Sequence, residues 1–274
     1  MFEYFIKSFQ RKIARRFTKK YPCKIDNFDL GKYGNVGFAN WENPLYHKVT
    51  LSMGNMNFFE KFLKEGDFAI DIGANVGRMS ISMSLVTGKN GLTLAFDPNP
   101  FVFEILVENA KLNPDKTNII PYNYAISDDD EEFYYNSSEA SFNNGGISKQ
   151  KINKHGKFSL ETKIKGINLE NFLQANHADK LKDLKLIKID TEGYDKEIIK
   201  SISNLLIKYK PIVITECFGK NSPEEKFEQF ELLKSLGYTL YYFSDFVSDA
   251  EIIRIEKKQD MLKWKHFDLY AIVG

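Results

Sequence analysis

Short apolar runs alternate along most of this chain with longer segments in which apolar residues recur every three or four positions. The runs predict strands buried on both faces, and the longer segments predict helices packed against them. The pattern gives a helix over 58–63, a strand over 68–72, a helix over 79–85 and a strand over 92–96. A helix over 101–112, stopped by Asn113-Pro114, and a strand over 118–124 follow. After a charged turn at 128–132, segments 132–136 and 159–167 alternate like a strand pair around a polar insert, 137–157, expected to be mobile or to face substrate. The rhythm then resumes with helix 169–175, strand 184–189, helix 196–207, strand 211–217, helix 226–236 and strands 238–243 and 269–273. Alternation of this kind implies an α/β fold with a doubly wound parallel sheet, closed by an antiparallel hairpin where the last two strands lack a long helix between them.

The first 57 residues break the rhythm. Phe2, Ile6, Phe9, Ile13 and Phe17 form a stripe at helical spacing, with Lys7, Arg11, Lys12, Arg15, Arg16, Lys19 and Lys20 around it. Such a helix docks on the body, on a second subunit of a homo-oligomer, or on an anionic membrane surface through residues 1–20. The following stretch to Asn57, rich in glycine, asparagine and aromatics, reads as a wrapping segment. Two regions are therefore expected: an arm and wrap over 1–57 and one domain over 58–274. A net charge of +1 gives no global drive toward nucleic acid. Cys23 and Cys217, far apart and outside any C-x-x-C pair, suggest neither a zinc site nor a disulfide framework. With no signal-peptide core or spanning segment in view, a cytoplasmic location is expected.

The candidate chemistry lies where the first buried run ends. Phe68-Ala69-Ile70-Asp71-Ile72 gives way to Gly73-Ala74-Asn75-Val76-Gly77, a strand that turns through two glycines into a helix, as nucleotide-binding loops do. An acid at the mouth of such a loop, Asp71, repels a pyrophosphate and suits the ammonium and sulfonium of S-adenosylmethionine. Asp97 ends the next run twenty residues past Gly77, where an acid accepts hydrogen bonds from ribose hydroxyls.

These residues resemble the S-adenosylmethionine-dependent methyltransferases with a Rossmann-like seven-stranded sheet, and within them the FkbM family. Four blocks carry the resemblance: Asp71 to Gly77; Phe96-Asp97-Pro98-Asn99-Pro100; Asn123-Tyr124-Ala125-Ile126-Ser127-Asp128; and Ile187-Lys188-Ile189-Asp190-Thr191-Glu192-Gly193-Tyr194. Asp97 departs from the glutamate common in relatives, and either acid can hold a ribose diol. The resemblance implies strand order 3-2-1-4-5-7-6 with the last strand antiparallel, and cofactor across the carboxyl ends of strands one to four. It also implies O-methylation of a sugar, glycan or other small-molecule hydroxyl. The cofactor-binding set so implied is Asp71, Gly73, Ala74, Asn75, Gly77, Asp97, Pro98, Asn123, Tyr124, Ala125 and Asp190.

Removing a hydroxyl proton near the methyl group nominates Asp190, Glu192 and Glu216 at the ends of the fourth and fifth strands as bases. Asp190 and Glu192 could equally bind the cofactor's ammonium or cap the next helix, and Glu216 could bind acceptor or form a structural ion pair. His47, His155, His177 and His266 lie outside the four blocks, and Phe101 reads either as adenine wall or as helix packing. No metal-ligand spacing appears, so a metal-independent reaction is expected. Three rivals remain: a non-catalytic cofactor-binding module on a glycan-assembly complex, a nucleic-acid methyltransferase, and a dehydrogenase. The Asp190-Thr191-Glu192-Gly193 block disfavours nucleic acid, and the missing G-x-G-x-x-G disfavours the dehydrogenase.

Overall fold

The computed structural model describes residues 2–151 and 158–274. Helix α1 (Phe2–Arg16) precedes an antiparallel hairpin of β1 (Cys23–Asp29) and β2 (Asn35–Trp41). Helix α2 (Met53–Phe59) leads into β3 (Phe68–Ile72), α3 (Arg78–Thr87), β4 (Leu92–Phe96), α4 (Pro100–Lys111) and β5 (Ile119–Tyr122). Five short strands come next: β6 (Ala125–Ile126), β7 (Glu132–Ser137), β8 (Gly146–Ser148), β9 (Phe158–Ser159) and β10 (Ile164–Ile167). The chain then runs through α5 (Leu169–Asn176), β11 (Leu184–Ile189), α6 (Asp195–Ser201), α7 (Ser203–Tyr209) and β12 (Ile212–Cys217). It closes with α8 (Pro223–Ser235), β13 (Tyr238–Phe243), β14 (Ile252–Ile255) and β15 (Phe267–Val273).

The main sheet has the order β14-β13-β15-β12-β11-β3-β4-β5. β12, β11, β3, β4 and β5 are mutually parallel, and β15 runs antiparallel to both of its neighbours. With β14 set aside, the strands counted in chain order lie 3-2-1-4-5-7-6. The chain leaves β3 toward β4 on one side and later returns to β11 on the other, so a crevice opens at the carboxyl ends of β3 and β11. Every residue of β3 and β4 is buried, which is why both read as apolar runs interrupted only by Asp71 and Thr93.

The structure departs from the sequence expectation in four places. The sheet has eight strands, because β14 pairs antiparallel with β13 at the edge and separates β13 from β15 in the chain. The first helix before β3 spans 53–59 rather than 58–63 and crosses the expected boundary at 57; the Ser52 backbone N–H donates to Asn55 Oδ1 at 3.2 Å at its start. The helix expected over 196–207 is two helices, with Ser203 Oγ donating back to the Ile199 and Lys200 carbonyls at the break. Side-chain bonds of this kind compete with the helical ladder. The pair expected at 132–136 and 159–167 is a small sheet ordered β6-β10-β7-β8, with β9 also on β7.

The β1–β2 hairpin shares a core with the domain: Leu30, Val36 and Phe38 pack with Val76, Ile81 and Leu106. Asn109 fastens this contact by donating to the carbonyls of Ala39 and Val76 and accepting from the Ala39 N–H. Among the described residues no helix is long and apolar enough to cross a membrane.

Candidate active site

The crevice at the switch point is a cleft of about 770 Å³. Its floor is the turn after β3. The N–H groups of Gly73 and Ala74 both donate to the Phe96 carbonyl, and the Asp190 N–H donates to the Ile72 carbonyl, so three strand ends are tied together. Gly73 has φ +75°, and a Cβ placed on it would lie 1.8 Å from the Asp190 carbonyl oxygen. Only glycine permits that approach.

Asp97 ends β4 on one side of the cleft. One of its oxygens accepts from the Asn75 N–H at 2.8 Å and the other from the Asn99 N–H at 2.9 Å. Each oxygen keeps a second lone pair for a ligand hydroxyl. Burial raises its pKa to about 7, against the lowering effect of the two N–H groups. Tyr124, Ala125 and Ile126 continue this wall, and Asn123 supports it by donating to the Asp97 carbonyl at 2.8 Å.

On the opposite side, the loop after β11 carries Asp190, Thr191, Glu192 and Gly193 into the cleft. Glu192 at φ +54° and Gly193 at φ +108° turn it outward. Asp195, buried at the start of α6, anchors it by accepting from the Thr191 N–H and Oγ1 on one oxygen, and from Thr215 Oγ1 and the Glu216 N–H on the other. Glu192 stands on the exposed rim, where partial desolvation and then Asp190 push its carboxyl above the ordinary range.

Several sequence-predicted residues build the cleft without lining it. Asp71 is fully buried: its Oδ2 accepts from Ser80 Oγ at 2.6 Å, and its Oδ1 lies 3.3 Å from Lys188 Nζ. It is not at the mouth, and its charge is balanced from below, so it cannot select between a pyrophosphate and a cation there. The acid that does face the cleft beside Gly73 is Asp190, whose Oδ2 accepts from the same Lys188 at 3.2 Å. Burial disfavours the Lys188 charge, but Asp190 and Asp71 outweigh it and hold the ammonium above its usual range. Ala74 and Gly77 lie behind the floor; a Cβ on Gly77 would meet Leu106 Cδ1 at 2.7 Å.

Glu216 also stays out of the cleft. It is buried with Oε1 2.7 Å from His266 Nε2, and burial, then Asp190, raises its pKa to about 8. Phe101 stacks on Phe142 at 5.3 Å, a packing role. His177 contacts the Tyr122 hydroxyl at 3.0 Å, and His155 lies outside the described residues. Gly73, Asn75, Asp97, Pro98, Tyr124, Ala125, Asp190 and Glu192 do meet in one cleft.

Sequence reasoning missed Lys188 and Asp195, which build the cleft, and Lys220, which lines it; Asn143 to Ile147, which also line it, belong to the insert expected to be mobile or to face substrate. A lysine inside the apolar run of β11 was the available signal for Lys188, since a buried lysine needs acidic partners. Among the described residues, no group of His, Cys, Asp and Glu is arranged to hold a metal ion.

The sequence model of the methyltransferase FkbM domain matches residues 71–240, from the buried acid under the floor to the strand beyond α8. The chain belongs to the FkbM methyltransferase family. This FkbM chain is also 24% identical over 162 residues to the hexuronic acid methyltransferase AglP of Haloferax volcanii, covering 59% of its own length and 60% of that relative. Among solved structures it is similar to an FkbM methyltransferase from Methylobacillus flagellatus, with TM-score 0.47 and 11% identity over 79% of this chain and 50% of that one. It is similar too to a SAM-dependent O-methyltransferase from Thermotoga maritima, with TM-score 0.45 and 12% identity over 92% and 78% of the two chains. The FkbM match takes in three walls of the cleft: the Gly73 floor, Asp97 and the Asp190–Gly193 loop.

Proposed function

We propose that this chain transfers a methyl group from S-adenosylmethionine to a hydroxyl of a uronic acid in a glycan, with Glu192 receiving the hydroxyl proton. The observation that carries the reading is the convergence of Asp97, the Gly73 floor and the Asp190–Glu192 loop on one cleft. The residues present fit the cofactor. Asp97 has lone pairs for the ribose diol, Tyr124 and Ala125 offer a wall for adenine, and the half-exposed Asp190 offers a carboxylate for the ammonium. When bound, S-adenosylmethionine supplies a methyl group activated by its sulfonium.

The chain's own work is positioning and proton removal. The acceptor oxygen must be held in line with the departing sulfur while water is kept out, a task suited to Tyr194 and Phe218 on the acceptor side. Glu192 suits the role of base because its raised pKa brings it closer to neutral pH, where proton acceptance is most efficient. The Asp190 carboxylate is tied to the Lys188 ammonium, and the Glu216 carboxyl lies against His266, so each is already engaged.

Lys220 supports the choice of a uronic acid. It is the one lysine or arginine among the described residues lining a cleft that also presents Asp97, Asp190, Glu192 and Glu225. A substrate carboxylate entering so acidic a site needs that charge. The activity for which the Haloferax relative is named, on a hexuronic acid, points the same way.

The test is labelled methyl transfer from S-adenosylmethionine to glycans ending in glucuronic acid and to matched glycans ending in glucose, alongside calorimetric titration of the cofactor. The uronate is expected to be methylated, Lys220→Ala to raise its KM about tenfold with cofactor affinity intact, and Asp97→Ala to weaken cofactor binding about tenfold. Absence of cofactor binding overturns the whole reading; equal turnover of the two glycans overturns the uronic acid alone.

A further inference from the structure

The C-terminal turn of helix α1 is fastened to the rest of the molecule. Ala14 is fully buried, and the Ala14 and Arg15 carbonyls accept from the Ser141 and Ala140 N–H groups at 2.9 and 3.3 Å. The apolar stripe points elsewhere: Phe5, Phe9 and Phe17 are 63%, 65% and 64% exposed, and Ile6 lies exposed between them. The stripe is therefore not a docking face for this chain's own body. Exposed aromatic surface of this kind marks a contact site.

Charge decides among the occupants. Residues 1–20 hold seven lysines and arginines against one acid, Glu3. Arg15 faces Glu139 at 3.7 Å and Lys20 pairs with Glu104, while Arg11, Lys12 and Arg16 stand exposed beside the stripe. A second copy meeting stripe to stripe would bring two sets of like charges together. An anionic lipid surface accepts both features at once, apolar rings at the acyl boundary and cations at the headgroups.

We propose that α1 lies in the plane of an anionic membrane surface and holds the protein there. Its contacts give this docking a place in the function. The segment that receives α1, Glu139 to Ser141, continues into Asn143–Ile147, which line the cleft. One loop therefore has the helix end on one side and the cleft on the other, which fixes the cleft's orientation to the surface. The membrane proposal stands on the helix itself, whichever acceptor the cleft takes.

The test is co-sedimentation of the full chain with vesicles of phosphatidylcholine, alone or with about one third phosphatidylglycerol. The bound fraction is expected to be about tenfold higher on the anionic vesicles and to fall with added salt. The double variants Phe5→Ser/Phe9→Ser and Arg11→Glu/Lys12→Glu should each lower binding about tenfold with unchanged thermal unfolding. Failure to bind anionic vesicles, or binding indifferent to both variants, overturns the proposal. So does a stable dimer in light scattering that Phe5→Ser/Phe9→Ser splits, which assigns the stripe to a second copy.

Discussion

At position 73 one methyl group separates a working floor from a collision with the next strand. Gly73 and Gly77 are both at positive φ, yet the obstacles differ in kind: a backbone carbonyl, that of Asp190, for the first and the tip of the Leu106 side chain for the second. The Asp190 backbone is held by its own N–H on the Ile72 carbonyl and has little room to move, whereas a leucine tip can rotate. Gly73→Ala is expected to cost at least about 2 kcal/mol in urea unfolding, and Gly77→Ala distinctly less. Equal losses would show that positive φ, common to both, dominates over the close approach. At this scale the places of Gly73 and Asp97 in the cleft were legible in the sequence, because each follows from position at a strand end, whereas Gly77, expected at the ligand, lies behind the floor. The role of Asp71 was not, because Lys188 reaches it from a strand far along the chain.

Elements set the cleft's acidic side. The loop between β11 and α6 holds its shape because Asp195 collects four donors from that loop and from β12. Asp195→Ala leaves those donors without their acceptor and is expected to cost about 3 kcal/mol. The loosened loop should also lower kcat, read against the parent at saturating cofactor. Wild-type kcat in a folded variant would mean that the loop's shape does not depend on this anchor. Element boundaries were read well where apolar runs were long, as in β3 and β4. They were misread where a local competitor acted: Ser203 breaks the helix after Asp195, and β14 is a short edge strand with little apolar alternation to betray it.

Across the whole molecule, three carboxyls near the cleft share an upward shift. Burial comes first for each, taking Asp97 and Asp268 to about 7 and Glu216 to about 8. In the unfolded chain carboxyls of these kinds titrate near about 4. Between those values the folded state binds more protons than the unfolded state, so stability falls as pH rises from about 5 to about 8. Thermal unfolding at intervals across that range should show the decline, and Glu216→Gln should flatten it. A rise in stability over the same range would contradict the burial of these groups. The strand and helix rhythm, the glycine turn and the order of acids at strand ends could be read from the chain, because each is written in neighbouring residues. Which acids see the cleft was settled by folding. Asp71 is neutralised beneath it, Glu216 turns to His266, and Asn143–Ile147 come across to form a wall, since these outcomes depend on contacts between segments distant in the chain.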